Sequence, residues 1–499
     1  MNDTASTYCC FIDMEKAFDW VDRDLLLYKL LLHNIDGKIY NSIKNLLSKT
    51  TSCVQINGIK TPWFPVDSGV RQGDCISPTL FSIFLNDLVH HIKETCPTLR
   101  IGNCDLNMLL YADDMVVIAE NEVNLQRIMN EVAKWCKNWR LKVNENKTKI
   151  VHFRKVRNPL TNYKFKYSGK SIEIVSSYKY LGIIMDEHLK FDGCVKALAE
   201  SSARALGGII SKFKCLKNVG YDTFTKLYNA GVQPISQYGA GIWGLNLATP
   251  INNVQNRAMR YFLGVHKFAP NAAIIGDMGW NSPILERKIC ILRLWNRLCN
   301  MANHRMTKQI FLNDYYKCLN NWSSDIKQIF TELNLQTAFT DLCPCDLDVA
   351  TLKFKDLQNS LWKNEIAKKP KLRIYKSFKF NCELEPYVKY LMDRSKRSLF
   401  AQFRCGILKL RVESGRFSRL IESERICQFC NMNEIENELH FIFHCPLYSA
   451  EREKIISPHI QNIVNSDVEK LTFLMQNKWR VLSNFIQTAW NIRNCEMFI

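Results

Sequence analysis

The spacing of hydrophobic and polar residues changes along the chain, and over residues 8–186 it predicts alternating strands and helices. Short apolar runs indicate strands at residues 8–12 and 149–154, and two or three more at 163–185. Apolar residues at helical spacing indicate helices at residues 23–33, 38–47, 78–92 and 122–140. From about residue 191 to residue 425 the helical spacing continues almost without interruption. The pattern therefore predicts an α+β region followed by a long helical region.

Turn and cap residues predict how some of these elements begin and end. Asn57-Gly58 lies between two apolar runs and predicts a hairpin turn, because both turn positions favour positive φ. Ser77 is expected to be the N-cap of the helix at 78–92, with Pro78 at its first helical position.

Two adjacent carboxylates, Asp113 and Asp114, interrupt the apolar run LLYADDMVVIAE at residues 109–120. We expect a hairpin here with both aspartates at its bend. An exposed hairpin tip with solvated aspartates is the simpler interpretation. The apolar flanks on both sides instead favour a hairpin within the core, whose tip enters a cleft. Burying unpaired carboxylates is costly and adjacent ones repel each other, so a divalent cation would stabilise them.

A third carboxylate, Asp13, ends the predicted strand at residues 8–12. Three aspartates on neighbouring strands can hold two Mg²⁺ ions, the arrangement that serves phosphoryl transfer. Between these carboxylates lies the loop and helix SGVRQGDCISPTLFSIFLNDL, residues 68–88. Its Gly69 and Gly73 allow the backbone to approach a ligand closely, and the side chains of Arg71 and Gln72 provide hydrogen-bond donors.

Charge and composition indicate which class of partner the protein binds and in which cellular compartment it lies. Lys and Arg outnumber Asp and Glu by 67 to 48, a net charge of +19, which favours a polyanion and nucleic acid more often than a membrane surface. The start of the chain lacks the pattern of a signal peptide, and no apolar run approaches the ~20 residues that span a bilayer. The 20 cysteines are scattered along the chain, which suits reduced thiols in the nucleus and cytoplasm. We expect no membrane partner and no small-molecule cofactor beyond metals.

A separate motif, CQFCNMNEIENELHFIFHC, occupies residues 427–445 and is called the Cys–His module below. The side chains of Cys427, Cys430, His440 and Cys445 have the types and spacing of zinc ligands, with His444 as an alternative fourth ligand. A chance grouping is the competing interpretation in a chain with 20 cysteines. The close Cys-x2-Cys pair followed by His and Cys favours a zinc site.

In this order, the motifs over residues 8–186 resemble motifs A to E of the reverse transcriptases of non-LTR (LINE-type) retrotransposons. FIDMEKAFD is similar to motif A, GVRQGDCISPTLFSIFLNDL to motif B, YADD to motif C, KVNENKTKIVHF to motif D and YKYLGIIMD to motif E. QPISQYGAGIWG and VQNRAMRYFLGV resemble the thumb region that follows, and the Cys–His module resembles the Cys-Cys-His-Cys module downstream of many such polymerases. The resemblance implies RNA-directed DNA synthesis from dNTPs on an RNA template and a DNA primer, with two Mg²⁺ ions.

The resemblance also implies roles for single residues. Asp13 and Asp113 would be metal ligands, with Asp114 the third catalytic carboxylate. Phe18 would be the gate that excludes ribonucleotides, or else an ordinary core aromatic, and Arg71, Gln72 and Gly73 would contact the nucleotide and the template. Lys147 would be a proton donor, with Lys149 as a competitor for that role and a solvated lysine as the simpler interpretation of either. Tyr180, Leu181 and Gly182 would form the primer grip.

The implied fold class is α+β: a right-hand polymerase palm with its fingers largely missing, a helical thumb, a helical C-terminal region and a small zinc-knuckle-like module. The expected divisions are a palm at 1–186, a thumb-like region at 187–270, a helical region of unknown role at 271–420, the zinc-knuckle-like module at 421–450 and a helical tail at 451–499. Motif A begins within about ten residues of the start, where the family has fingers motifs, and no endonuclease is recognisable. We therefore expect either an element copy truncated at the N-terminus or a fragmentary gene model, with weak or no activity.

Two other classes of function stay open. One is a nucleic-acid-binding protein without catalysis, derived from such an element and built from the basic helical region and the Cys–His module. The other is a different two-metal palm enzyme, such as a nucleotide cyclase or a template-independent nucleotidyltransferase. The motif B loop and the motif E match argue against the latter, because both serve a template–primer duplex.

Overall fold

The computed structural model describes residues 6–216, 218–245, 248–391, 393–463 and 466–496. They divide into two compact units, one formed by Met1–Cys194 with Ala302–Lys317 and the other by Val195–Met301 with Cys318–Ile499. The first unit combines strands and helices, and the second is helical. The five-part division expected from the sequence remains a prediction.

The described strands all lie in the first unit. They are β1 (Thr7–Ile12), β2 (Thr51–Ser52), β3 (Gln55–Ile56), β4 (Ile59–Lys60), β5 (Phe64–Pro65), β6 (Leu99–Ile101), β7 (Cys104–Leu106), β8 (Met108–Tyr111), β9 (Asp114–Ala119), β10 (Lys149–Phe153), β11 (Lys166–Tyr167), β12 (Lys170–Ser171), β13 (Ser177–Tyr180) and β14 (Ile183–Asp186).

The helices occur in both units. They are α1 (Arg23–Leu32), α2 (Gly37–Leu47), α3 (Ser77–Thr95), α4 (Glu122–Asn138), α5 (Asp192–Lys214), α6 (Tyr221–Gly231), α7 (Gln233–Ser236), α8 (Ala240–Trp243), α9 (Thr249–Leu263), α10 (Asn271–Met278), α11 (Pro283–Cys299), α12 (Met306–Lys317), α13 (Trp322–Glu332), α14 (Gln336–Thr340), α15 (Leu347–Ala367), α16 (Tyr375–Phe378), α17 (Pro386–Tyr390), α18 (Arg394–Arg404), α19 (Arg411–Phe417), α20 (Ser449–Ile455), α21 (Asp467–Asn477) and α22 (Trp479–Glu496). In the part of the chain that is described, no helix is both long enough and apolar enough to cross a bilayer.

A four-stranded antiparallel sheet in the order β10-β1-β9-β8 is the centre of the first unit. Both faces of β1 are buried, which explains why its sequence TYCCFI is apolar without alternation. Cys10 and Ile12 face the main core with buried side chains of α3 and α4, while Cys9 and Phe11 face a smaller cluster. Tyr178 of β13 packs on that smaller cluster, so the β13–β14 hairpin covers the second face of the sheet.

Most element predictions for residues 8–154 are confirmed to within a few residues. Asn57 and Gly58 form the predicted turn, with φ of 50° and 86°. The N-cap prediction is wrong, because α3 begins at Ser77 itself and Ile76 precedes it without a side-chain cap. Asp74 takes over part of that role, since its Oδ1 accepts from the backbone N–H of Ile76 at 3.3 Å. Residues 163–185 contain four short strands rather than two or three.

The second unit contains a buried ion pair in its core. Asp277 of α10 is fully buried, and its carboxylate accepts from Arg404 of α18 through Nε at 3.0 Å and Nη2 at 2.9 Å. The hydroxyls of Tyr375 and Tyr387 donate to the same carboxylate at 2.8 and 2.6 Å. These hydrogen bonds satisfy both charges, which a buried pair requires. The predicted helical character of this region is confirmed.

Candidate active site and Cys–His module

The pairing of β1 with β9 decides where two of the predicted catalytic carboxylates lie. Tyr8 pairs with Ala119 and Ile12 with Met115, so the next positions in this register are Asp13 and Asp114. Side chains alternate between the faces of a sheet. Asp13 and Asp114 therefore face the same side as Phe11 and Val116, which both belong to the smaller cluster. Two strands about a hundred residues apart in sequence thus bring carboxylates to one edge of the sheet.

The carboxylates at this edge are close enough to interact electrostatically. The side chain of Asp114 is exposed, but partial desolvation and, next, the negative charges of Asp113 and Asp13 raise its pKa. Burial and the charges of Asp13 and Asp114 also raise the pKa of Tyr178. Burial and the charge of Asp114 raise the pKa of Tyr180. The two tyrosines of β13 therefore lie within electrostatic reach of the same carboxylates.

Asp113 lies in the two-residue turn between β8 and β9, next to Ala112, whose φ of 53° is unusual for a residue with a side chain. The prediction that both flanks of the aspartates are buried is wrong for β8. Tyr111 and Leu109 are 66% and 41% exposed, because β8 is the edge strand of the sheet. Only the β9 flank, beginning at Met115, is buried.

The three aspartates are neighbours but are not drawn together as a compact ligand set. Among the described residues, two groups of His, Cys, Asp or Glu side chains have three or more ligand atoms within 4.8 Å of one another. Both groups lie in the Cys–His module, and neither includes the three aspartates. Asp13 itself is fixed by its backbone, which donates to Thr148 Oγ1 at 3.2 Å and accepts from the N–H of Asn144 at 2.8 Å.

The motif B loop is fastened to the segment that follows Asp13. The N–H of Val70 donates to the carbonyl of Phe18, and the N–H of Gly69 donates to that of Val21, both at 2.8 Å. Gly69 has a φ of 79°, and a Cβ there would lie 2.8 Å from the carbonyl oxygens of Phe18 and Asp19. This close approach explains the glycine. The loop is therefore held against the segment whose first residue is a predicted metal ligand.

The other predicted residues of this loop are more open. Arg71, Gln72 and Gly73 are exposed. The side-chain amide of Gln72 lies 3.5 Å from Asp19 Oδ1, at the limit of a hydrogen bond. Phe18 is half-buried, and its ring stacks on Phe81 with centroids 4.7 Å apart, so it is anchored on the core.

Sequence reasoning missed the residue that organises this region, Arg23 at the first position of α1. Its guanidinium donates to five acceptors: the carbonyls of Leu47, Val66, Ser68 and Gly69 and the hydroxyl of Thr50, at 2.7–3.1 Å. Through these bonds it joins α1 to the end of α2 and to the start of the motif B loop. All but one of the acceptors are backbone carbonyls, so the sequence carries no signal for this role.

The two candidate lysines of motif D have different partners. Lys147 Nζ lies 3.8 Å from Asp13 Oδ2, and its side chain is 68% exposed. Lys149 Nζ instead forms an ion pair with Glu173 at 2.6 Å. Of the two, only Lys147 lies next to the predicted catalytic carboxylates.

The predicted primer-grip residues form the tip of the β13–β14 hairpin. Tyr180 and Ile183 are the closing pair, and Leu181 and Gly182 form the turn. The ring of Tyr180 packs on Phe11 with centroids 5.4 Å apart. Tyr178, two residues earlier on the same face, stacks on Phe11 at 4.4 Å and was not predicted as a site residue. Its signal was the strand alternation that places it beside Tyr180.

Comparison with known proteins identifies this first region. A family model described as reverse transcriptase (RNA-dependent DNA polymerase) matches residues 1–185. Residues 1–185 are a reverse transcriptase domain. The similarity extends beyond it: an RNA-directed DNA polymerase from the mobile element jockey of Drosophila melanogaster is 24% identical over 307 residues, 60% of this chain and 32% of the relative.

Other relatives of this reverse transcriptase domain belong to the same kind of element, which confirms the predicted non-LTR type. A probable RNA-directed DNA polymerase from transposon BS of D. melanogaster is 30% identical over 263 residues, 51% of this chain and 29% of the relative. A Pol polyprotein from a type-1 R2 element of Popillia japonica is 25% identical over 182 residues, 34% of this chain and 30% of the relative. The chain spans about a third of the length of these relatives.

The second candidate site, outside the reverse transcriptase domain, is the Cys–His module. The ligand atoms of Cys427, Cys430, His440 and Cys445 all lie within 4.8 Å of one another. The Nε2 of His440 is 3.5 Å from Cys430 Sγ, and its Nδ1 is 2.9 Å from a carboxylate oxygen of Glu434. Such a second partner commonly orients a metal-binding histidine. The donor set therefore fits a zinc ion.

His444, the alternative ligand, has other partners. Its Nδ1 lies 3.3 Å from Glu434 and its Nε2 lies 2.8 Å from Asp467 at the start of α21. A single π-helical turn at His440–His444 carries both histidines but directs only His440 toward the cysteines. A hydrogen bond from Cys427 lowers the pKa of the Cys445 thiol, which favours a thiolate there.

The Cys–His module is joined to neighbouring helices through Glu436, which sequence reasoning did not single out. The Glu436 carboxylate is buried and pairs with both terminal nitrogens of Arg493 in α22. The backbone N–H of Arg411, at the start of α19, donates to the same carboxylate at 2.6 Å. The module is therefore tied to two helices by one charged group.

Proposed function

We propose that this chain is an RNA-directed DNA polymerase of a non-LTR retrotransposon that extends a DNA primer on an RNA template. The observation that carries the proposal is the β1–β9 register, which sets Asp13 beside Asp114 with Asp113 in the adjoining turn. When bound, two Mg²⁺ ions would activate the primer hydroxyl and stabilise the leaving oxygen.

The residues at this edge fit such ions. The raised pKa of Asp114 reflects partial desolvation and the negative charges of Asp113 and Asp13, and a divalent cation would relieve that repulsion. Hard cations such as Mg²⁺ take carboxylate oxygens as ligands. Asp13 and Asp113 would be the ligands, with Asp114 as the third carboxylate.

Further residues would hold the substrates around this edge. Arg71, Gln72 and Gly73, exposed in a loop fastened to the Asp13 segment, would contact the template and the dNTP. Phe18 would be the gate that excludes ribonucleotides, and Lys147 would protonate the pyrophosphate. Tyr180, Leu181 and Gly182, at the tip of the β13–β14 hairpin, would grip the primer end, since Tyr180 packs on Phe11 of β1, two residues before Asp13.

Primer extension on an RNA template with Mg²⁺ tests this proposal. We expect Asp113→Asn to lower the rate by about a hundredfold or more, because a lost metal ligand removes several kcal/mol of transition-state stabilisation. Asp105→Asn, an exposed aspartate of β7 in the same unit, is the matched control and should keep the wild-type rate. Equal extension by wild type and Asp113→Asn would overturn the assignment.

One observation favours a second candidate function, a nucleic-acid-binding protein without catalysis. The net charge of +19 favours a nucleic-acid partner whether or not the three aspartates bind ions. This candidate predicts binding to template–primer with no Mg²⁺-dependent extension by the wild type. In either function the Cys–His module would hold zinc through Cys427, Cys430, His440 and Cys445, and the workplace would be the nucleus and cytoplasm.

A further inference from the structure

A groove in the second unit has an apolar floor and two exposed aromatic rings. It has a volume of 460 Å³ and lies between the loop after α9 and the segment around α19. Ile407, only 1% exposed, forms part of the floor. Phe268 and Phe417 line the same groove with 61% and 70% of their surface exposed. We name it the Phe268–Phe417 groove. Two exposed phenylalanines in one groove form an apolar surface that a bound partner would cover.

The charges around the Phe268–Phe417 groove are mainly positive. Lys267 and Lys409 line it with exposed side chains, and Lys267 Nζ lies 5.1 Å from the centre of the Phe268 ring. The one acidic lining residue, Glu413, is buried and pairs with Lys371 and with Arg416 at 3.6 Å. Its charge is therefore already compensated, and the lysines of the groove are left to attract an anion.

We propose that the Phe268–Phe417 groove binds unpaired bases of a single-stranded nucleic acid, with the adjoining phosphates against Lys267 and Lys409. Bases stack on exposed aromatic rings, and cations beside those rings track the backbone. An apolar peptide would use the rings but leave the lysines without a counter-charge, so a polyanion with flat rings fits better. The site lies outside the reverse transcriptase domain and does not depend on the predicted catalytic carboxylates.

Fluorescence anisotropy with the full chain tests the groove. The probes are labelled oligo-uridylate, oligo-thymidylate and an abasic strand, each of about 12 nucleotides. We expect the double variant Phe268→Ala/Phe417→Ala to bind both base-containing strands about tenfold or more weakly, because stacking is lost. Its affinity for the abasic strand should not change. Phe380→Ala/Tyr390→Ala removes two other exposed aromatics of this unit and is the matched control.

A site-resolved readout separates this groove from other nucleic-acid contacts of the chain. Photo-cross-linking of 5-iodouridine strands should label peptides containing residues 266–268 or 407–417. If the double variant loses affinity for both oligo-uridylate and oligo-thymidylate, the groove accepts ribose and deoxyribose. If it loses affinity only for oligo-uridylate, the groove selects RNA. Unchanged affinity relative to the control, together with no cross-link in these peptides, would overturn the proposal. It would also fail if the double variant altered only self-association in sedimentation, which would make the occupant a second copy.

Discussion

Lys147 and Lys149 are two residues apart, and the structure gives them different surroundings. Lys147 reaches Asp13, whereas Lys149 is engaged by Glu173. If Lys147 protonates the leaving pyrophosphate, Lys147→Ala should slow single-nucleotide addition by about a hundredfold, the range of general acid catalysis. Rapid-quench measurement of the first addition on an RNA template checks this, because that step includes the proton transfer.

Lys149→Ala is the matched control for this experiment. It removes the same charge two residues away and should leave the rate of addition close to that of the wild type. Nucleotide affinity, measured from the concentration dependence, should also be little changed in Lys147→Ala. Equal slowing by both variants would mean that net charge, rather than proton donation by Lys147, accounts for the loss.

Candidate site residues could be proposed from the sequence where it carried the chemistry itself. Asp13, Asp114 and the four ligand-type residues of the Cys–His module could be picked out because carboxylates and thiols are costly within apolar surroundings. Arg23 could not be identified from the sequence, because it acts mainly through hydrogen bonds to backbone carbonyls, which any sequence supplies. Nor could the pattern alone choose between Lys147 and Lys149.

At the scale of elements, periodicity predicted the long helices and β1, β9 and β10, where a buried face repeats over several residues. It misjudged β8, since an edge strand exposes residues that would be buried in a central one. The short strands at 163–185 have too few residues for a period to show. The hydrophobic pattern also could not predict the register in which β1 pairs with β9, because most of the domain's sequence lies between these two strands.

Lys29 of α1 packs against α3 and α4 of the reverse transcriptase domain, and its burial predicts that the stability of this packing depends on pH. Only 2% exposed, its Nζ pairs with Asp87 of α3 at 2.6 Å and lies 3.5 Å from the ring centre of Trp139. Burial lowers the pKa of Lys29 to about 8, against about 10.4 in an unfolded chain. The unfolded state therefore holds this proton more tightly, and the lysine's contribution to folding becomes more favourable as pH rises from about 8 to 10.5.

We expect the free energy of unfolding of the wild type, relative to Lys29→Met, to rise by roughly 3 kcal/mol across that window. Urea unfolding of both proteins at several pH values between 7 and 10.5 measures the difference. Lys44→Met, which removes an exposed lysine of α2, should show a flat difference. A flat difference for Lys29→Met as well would show that the native state leaves the affinity of Lys29 for its proton unchanged.

At the scale of the whole molecule, one buried carboxylate links the Cys–His module to two helices of the second unit. Its Glu436 carboxylate pairs with Arg493 of α22 and accepts from the backbone at the start of α19. Collapse of the module would leave Arg493 buried without its partner, a change that is strongly destabilising. Zinc bound by the four ligand-type residues would hold Glu436 in place, so the effect of the metal should extend beyond residues 427–445.

We therefore expect about one zinc ion per chain, measured by mass spectrometry of the purified protein, and its loss in Cys427→Ser. Removing the ion with a chelator should lower the melting temperature by about 5 °C or more, because the lost ligation and the unpaired Arg493 both weaken the helical unit. Cys215→Ser, at an exposed cysteine away from the module, should keep both zinc and stability. A folded protein with zinc well below one ion per chain would make the four residues a chance grouping, and the buried Glu436–Arg493 pair would then have to stabilise the module without a metal.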